Sequence, residues 1–171
     1  ISCDSYMLPA LSVGNYFDAP NGGGVAYFEG DVITSSMTMY VYAQTATTPN
    51  CFTENSFTIG ILTSPTIVNP TPLEICDDSA DGIACFTLTD KTAEIINNQT
   101  GLTVTYHETQ QDAEDGVNSY RPVYCNTTAG MQTLYVRVTP ATAPQCASIT
   151  TLVLIVNPKP IVTGNTVADY Q

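Results

Sequence analysis

Apolar and polar positions alternate along most of this chain with a period of two, the pattern of strands that bury one face. Between Gln132 and Thr139, Leu134, Val136 and Val138 fall on one side and Tyr135, Arg137 and Thr139 on the other. Thr38-Met39-Tyr40-Val41-Tyr42-Ala43 mixes β-branched and aromatic residues as a partly buried strand does. Residues 152–156 are apolar at every position, which predicts a strand covered on both faces. The first stretch gives strands at 5–11, 15–17, 25–28, 37–45 and 56–62. The second gives strands at 73–76, 85–89, 102–107, 121–125, 132–139 and 147–156. Polar turns separate them, among them Asn21-Gly22-Gly23-Gly24, whose glycines adopt positive φ at little cost. One or two helical turns are expected at 91–97, capped by Thr89 or Asp90, and another at 110–116.

Short strands at such spacing indicate antiparallel sandwiches. Val68-Asn69-Pro70-Thr71-Pro72 and Val156-Asn157-Pro158-Lys159-Pro160 are two versions of one phrase, each closing a β-rich stretch. The chain therefore divides into a first module over 1–70, a second over 71–160 and the start of a following one over 161–171. The modules read as two different repeat types, one with two cysteines and one with four. The prolines near 69–73 stiffen the joint, because proline fixes φ and favours an extended path. A module of roughly 70–90 residues buries a modest core, so cross-links matter.

Composition narrows the function. Sixteen acids against four bases give a formal net charge of −12, which disfavours nucleic acid and anionic lipid as partners. No apolar run approaches the roughly 20 residues of a membrane span, so direct membrane insertion is not expected. The chain starts at Ile1 without a signal peptide, as a processed or truncated chain would. Six cysteines with no CxxC spacing and a single histidine indicate disulfides rather than zinc, and hence an oxidising, exported location. Cys3 and Cys51 are the only cysteines of the first segment, and a bridge between them would contribute about 4 kcal/mol on the chain-entropy model. Cys76, Cys85, Cys125 and Cys146 allow three connectivities, including local closure as Cys76–Cys85 and Cys125–Cys146.

Several phrases resemble a known repeat. They include Cys3-Asp4-Ser5-Tyr6-Met7-Leu8-Pro9-Ala10-Leu11, Gly30-Asp31-Val32-Ile33-Thr34 and Asn50-Cys51-Phe52-Thr53-Glu54-Asn55 in the first segment. Leu73-Glu74-Ile75-Cys76-Asp77-Asp78, Leu102-Thr103-Val104-Thr105-Tyr106-His107 and Gln132-Thr133-Leu134-Tyr135-Val136-Arg137-Val138 carry it in the second. Together they resemble the tandem Ig-like repeats of giant flavobacterial (Bacteroidota) surface adhesins, of the gliding-motility type, over almost the whole chain. That resemblance implies an all-β fold of two tandem Ig-like antiparallel β-sandwich modules, export by the type IX route and display at the outer-membrane-associated cell surface. It also implies a Cys76–Cys146 pair, leaving Cys85–Cys125 as an added bridge between strands.

Candidate chemistry is sparse. Asp77, Ser79 and Asp81, followed by Gly82, match the front half of a calcium loop, but Leu88 stands where its closing glutamate belongs. The alternative is an Asp-rich turn whose side chains cap backbone N–H groups. Asp78-Ser79-Ala80 also fits the pattern by which Bacteroidota proteins are O-glycosylated, at Ser79, while Asn98 and Asn126 match sequons of another kingdom. His107 is expected to be an exposed strand residue, and Glu108, Asp112, Glu114 and Asp115 a solvated acidic turn rather than a glycosidase pair. Tyr16, Tyr27, Tyr40, Tyr42 and Tyr135 are expected to pack across strands, with a glycan-stacking surface as the other reading. The expected function is accordingly non-enzymatic: a repeat segment that spaces and stiffens an extracellular fibre used in attachment or gliding. Its partners would be neighbouring repeats of the same chain and a surface polysaccharide or substratum. A polysaccharide-binding module and a strand-exchanging filament subunit are the competing readings.

Overall fold

A computed structural model describes residues 1–160, so the expected start of a further repeat at 161–171 lies outside the described residues. The fold is all-β with few helical turns. Two compact units divide it. The first comprises Ile1–Ser64 together with Ala143–Cys146, and the second comprises Pro65–Thr142 and the chain from Ala147 onward.

In the first unit the strands are β1 (Ser2–Cys3), β2 (Tyr6–Met7), β3 (Asn15–Ala19), β4 (Gly23–Tyr27), β5 (Val32–Ile33), β6 (Met37–Gln44), β7 (Phe52–Ile59) and β8 (Ile61–Leu62). Four of them form an antiparallel sheet in the order β4-β3-β6-β7, β2 pairs with β5, and β1 runs parallel to β8. Alternation along β6 and its neighbours sends Leu8, Tyr16, Ile33, Met39 and Ile59 into one core. The Tyr16 hydroxyl donates to the Pro9 carbonyl at 3.0 Å, so the buried ring keeps its polar end satisfied. Gly14 precedes β3 at φ +86°, and a Cβ there would stand 2.5 Å from the Tyr42 carbonyl oxygen, so only glycine fits.

In the second unit the strands are β9 (Leu73–Cys76), β10 (Cys85–Thr87), β11 (Leu102–His107), β12 (Val123–Cys125), β13 (Met131–Pro140) and β14 (Ser148–Asn157). Their main sheet runs β11-β13-β14-β9, with β9 parallel to β14, and β10 pairs with β12. A 3-10 turn (Leu88–Lys91) leads into α1 (Thr92–Ile95), and α2 (Gln110–Asp115) follows β11. Neither Thr89 nor Asp90 caps α1; its N-cap is Lys91, with no side-chain cap bond. The core gathers Phe86, Leu88, Ile95, Tyr106, Tyr124 and the inward residues of β13 and β14. Leu134, Val136 and Val138 are wholly buried, as the alternation predicts, each contributing about 2 kcal/mol of burial. Along β14, Leu152, Leu154 and Val156 are buried while Val153 and Ile155 are partly exposed. The unbroken apolar run is thus a strand with one core face and one half-covered face.

The compact units divide at Ser64/Pro65. Residues 65–72 have no regular structure, yet their polar groups are taken up by the second unit. Ser148 Oγ donates to the Pro65 carbonyl at 2.6 Å, Val68 N–H to the Ile95 carbonyl at 3.0 Å, and Thr71 N–H to Glu94 at 2.6 Å.

The two units share one plan. Tyr16 and Tyr106 are both buried at 3%, and they pair across the sheet with Val41 and Val136 respectively. Tyr40 pairs with Ser56 and Tyr135 with Thr151, so the two long hairpins have the same register. β1 meets β8 as Cys3 opposite Leu62, and β9 meets β14 as Cys76 opposite Asn157.

Candidate functional site

The side chains with distinctive chemistry are the cysteines. Cys3 ends β1, held by the parallel pairing and by Asp4 N–H donating to the Leu62 carbonyl at 2.7 Å. Cys146 stands in the β13–β14 hairpin loop, which turns tightly: its N–H donates to the Ala143 carbonyl at 2.9 Å. The two are bonded, with Cα atoms 5.4 Å apart and 143 residues between them. Closing a loop of that length contributes about 5 kcal/mol on the chain-entropy model. Cys85 and Cys125 face each other across β10 and β12 and form the second bridge, over 40 residues, worth about 4 kcal/mol in the same terms.

Cys51 and Cys76 are free thiols, both exposed. The structure therefore departs from the expected Cys3–Cys51 and Cys76–Cys146 pairs, and strand geometry gives the reason. Cys51 sits at the loop end of β7, whereas Cys3 lies beside Leu62 beyond its far end. Eleven residues of nearly continuous strand put the two roughly 30 Å apart, and a disulfide needs Cα atoms within about 7 Å. Cys76, opposite Asn157, is separated from Cys146 by the length of β14 in the same way.

A sequence signal for this existed. Tyr40-Val41 followed by Ala46-Thr47-Thr48-Pro49-Asn50-Cys51 matches Tyr135-Val136 followed by Ala141-Thr142-Ala143-Pro144-Gln145-Cys146, with identical spacing. The phrase marks Cys51 and Cys146 as the same position of two hairpins, which the count of cysteines per segment hid.

The Asp77 turn uses its oxygens internally. One carboxylate oxygen of Asp77 accepts from Ser79 N–H at 3.1 Å and Ala80 N–H at 2.7 Å, and the other from Gly82 N–H at 2.7 Å. These backbone donors, Gly82 foremost, hold the Asp77 carboxyl below its ordinary range against the opposing effect of burial. Asp81 accepts from the Ser79 hydroxyl at 2.7 Å and from Ile83 N–H at 2.9 Å. The side chains that would ligate calcium are thus directed at the loop's own N–H groups, and no cluster of three His, Cys, Asp or Glu side chains gathers among the described residues. Ser79 is exposed, its hydroxyl engaged by Asp81. Gly82, at φ +76°, lets the turn close: a Cβ there would stand 2.9 Å from Gly130 N.

His107 is fully buried rather than exposed. Its Nδ1 lies 2.6 Å from the Val117 carbonyl and its Nε2 2.8 Å from the Thr105 hydroxyl. A carbonyl only accepts, so Nδ1 carries the proton and Nε2 accepts from Thr105; both nitrogens serve the fold. The acidic stretch forms α2, capped at its start by Thr109, whose side chain accepts from Asp112 N–H, and ended by Gly116. Its carboxylates are engaged by separate neighbours: Asp112 accepts from Asn118 at 2.7 Å and from the Thr109 hydroxyl at 2.6 Å, Glu114 from Gln110 at 2.7 Å and Asp115 from Gln111 at 3.0 Å. Glu108 accepts from the Tyr120 hydroxyl at 2.6 Å, a bond that pushes the phenol up to about 12. Asn126 is buried with its amide shared among Ala84, Gly82 and Thr128 backbone groups, which leaves the sequon side chain committed to the core.

Of the tyrosines singled out, Tyr16 is buried and the other four are partly exposed. Tyr42 stacks on Phe52 with ring centroids 5.9 Å apart and meets Phe17 edge-on at 6.2 Å.

The chain is all-β, with one bridge across β10 and β12 and one between Cys3 at the end of β1 and Cys146 in the β13–β14 loop. A family model described as the Flavobacterium inter-domain disulphide bond domain matches residues 72–160. The chain belongs to that family. No curated protein matches the sequence.

Proposed function

We propose that this chain is a length of a non-enzymatic extracellular fibre: two Ig-like repeats of a flavobacterial surface adhesin that space and stiffen it. The Cys3–Cys146 bond carries the reading. It spans 143 residues and ties the first strand of one repeat to the hairpin loop of the next, the kind of inter-domain bridge the family is described by. Such a bond resists tension along a string of repeats, and it persists in the oxidising space outside the cytoplasm. Type IX export, the outer-membrane-associated cell surface and a role in attachment or gliding complete the proposal. Neighbouring repeats are its partners, and a surface polysaccharide or substratum is met elsewhere on the fibre. The net charge of −12 keeps such a fibre from collapsing on itself.

Pulling the chain by its two ends tests this. With disulfides intact, the residues between Cys3 and Cys146 stay out of the extension; reduction should release roughly 500 Å of further length, at about 3.5 Å per residue over 143 residues. Equal extension with and without reductant would remove the mechanical role. In parallel, the folded fragment should leave a glycan array blank. Specific, saturable binding to one glycan would replace the spacer reading with the polysaccharide-binding one.

A further inference from the structure

One polar residue stands on the core side of β13. Gln132 alternates with the buried Leu134, Val136 and Val138 and is itself only 9% exposed. On the other long hairpin the residue three before Tyr40, as Gln132 is three before Tyr135, is Met37, which packs against an apolar core. A buried carboxamide is costly unless its polar atoms find partners, so the partners of Gln132 are informative.

Its Oε1 accepts from two successive backbone groups, Thr127 N–H at 2.7 Å and Thr128 N–H at 3.3 Å. The Thr127 hydroxyl lies 3.4 Å from that same oxygen and 3.4 Å from a carboxylate oxygen of Glu108. Glu108 is fixed from its other side, where its second oxygen accepts from the Tyr120 hydroxyl at 2.6 Å. Gln132 Nε2 donates to the hydroxyl of the buried Tyr124 at 2.8 Å. Capping the turn would need only Oε1 and the two N–H groups. Here a hydroxyl, a carboxylate, paired N–H donors and a phenol surround one amide, the parts of an acyl-transfer centre.

We propose that Thr127 and Gln132 join autocatalytically as an intramolecular ester, Oγ1 to Cδ, with loss of ammonia. Glu108 takes the hydroxyl proton as Oγ1 bonds to Cδ. The carbonyl electron pair moves onto Oε1, where the two backbone N–H groups stabilise the charge. Its return breaks the Cδ–Nε2 bond, and the nitrogen leaves as ammonia with a proton from the Tyr124 hydroxyl. Glu108, at the surface, releases its proton to water, and the phenolate regains one from there. One O–H and one C–N bond break, one C–O and one N–H bond form, and nothing is oxidised or reduced. The cross-link fastens the turn after β12 to the start of β13, and so the small sheet to the main one. It goes beyond the fibre reading and does not rest on it.

Intact mass and peptide mapping of the full chain, after incubation at neutral pH, test the ester. The chain should be lighter than its disulfide-bonded sequence by one ammonia. The loss should map to a peptide that does not fragment between Thr127 and Gln132. Hydroxylamine, which cleaves esters, should open that peptide and leave a hydroxamate at Gln132. Thr127→Ala and Gln132→Glu should each abolish the loss, whereas Thr127→Ser should retain it. Glu108→Gln should slow it on the order of a hundredfold, followed as mass against time. Each variant is first shown to be folded by its Cys3–Cys146 and Cys85–Cys125 peptides. A folded parent chain that keeps its ammonia would overturn the ester. So would a loss that maps elsewhere, at Asn21-Gly22 for example, or one that persists in Thr127→Ala. Any of those results with the pulling behaviour unchanged would leave the spacer reading standing without it.

Discussion

The first unit is a reduced version of the second. Both place a tyrosine opposite a valine of the long hairpin, both lay a first strand parallel to the last, and both put a cysteine in the same two places. They differ in how each is held. The first unit's core is five buried residues, with Leu8, Met39 and Ile59 as its aliphatic centre; among the described residues it has no helical turns, and its bridge is Cys3–Cys146. The second gathers eleven buried residues, adds α1 and α2, and carries Cys85–Cys125 inside its small sheet. A small domain with a thin core depends on cross-links in a way a fuller one does not. The comparison therefore teaches that Cys3–Cys146 is the main support of the first unit, as the fuller core is of the second.

The largest expected effect breaks that asymmetry directly. Removing Cys3–Cys146 as Cys3→Ala with Cys146→Ala should destabilise by about 5 kcal/mol and appear in calorimetry as early melting of the first unit alone. Removing Cys85–Cys125 should cost about 4 kcal/mol and lower the melting of the second unit only. Equal losses in both transitions for either pair would erase the distinction.

Next in size are matched core truncations. Met39 and Leu134 are both fully buried and occupy the same position of their hairpins, so Met39→Ala and Leu134→Ala should each cost about 3 kcal/mol. The first should unfold its unit at ambient temperature, while the second should leave a folded unit with a lowered midpoint in urea.

A smaller effect compares the aspartates that follow the first-strand cysteines. Asp77 accepts from three backbone N–H groups, and Asp4 accepts from Ser64 N–H at 2.9 Å. Hydrogen bonding from those backbone groups holds both carboxyls below their ordinary range. A depressed folded-state value means the stabilisation is fully present above the unfolded value and disappears as pH falls through the folded one. Asp77→Asn should therefore destabilise at neutral pH and converge with the parent chain in acid, with Asp4→Asn doing the same by a smaller amount. A pH-independent difference would show that the turn matters through shape alone.

The smallest effect is spectroscopic. Tyr120, hydrogen-bonded to Glu108, should ionise near 12 rather than 10, visible as a late step in the alkaline absorbance titration. Because its folded value is raised, its contribution is present below the ordinary phenol range and lost as pH rises through about 12. Glu108→Gln should return that step toward the ordinary phenol range.

Period-two alternation made the long strands legible, since a strand that buries one face must write that face into every second residue. β6, β11, β13 and β14 were placed to within a residue or two, and the turns around α2 were visible in their polar residues. The two-residue strands β1 and β5 left no such trace, being too short to show a period. His107 was misjudged because alternation assigns a face but not what packs on it, and Val117 reaches its ring from a later loop.

What the sequence alone determined is the β class and the reading of the cysteines as disulfide formers. What only the tertiary structure decided is which cysteines meet. Composition counts thiols per segment and favours neighbours in sequence, but a strand is rigid and long. Cys3 and Cys51 are kept at its opposite ends, while Cys146, 143 residues away from Cys3, is delivered within 5.4 Å between Cα atoms.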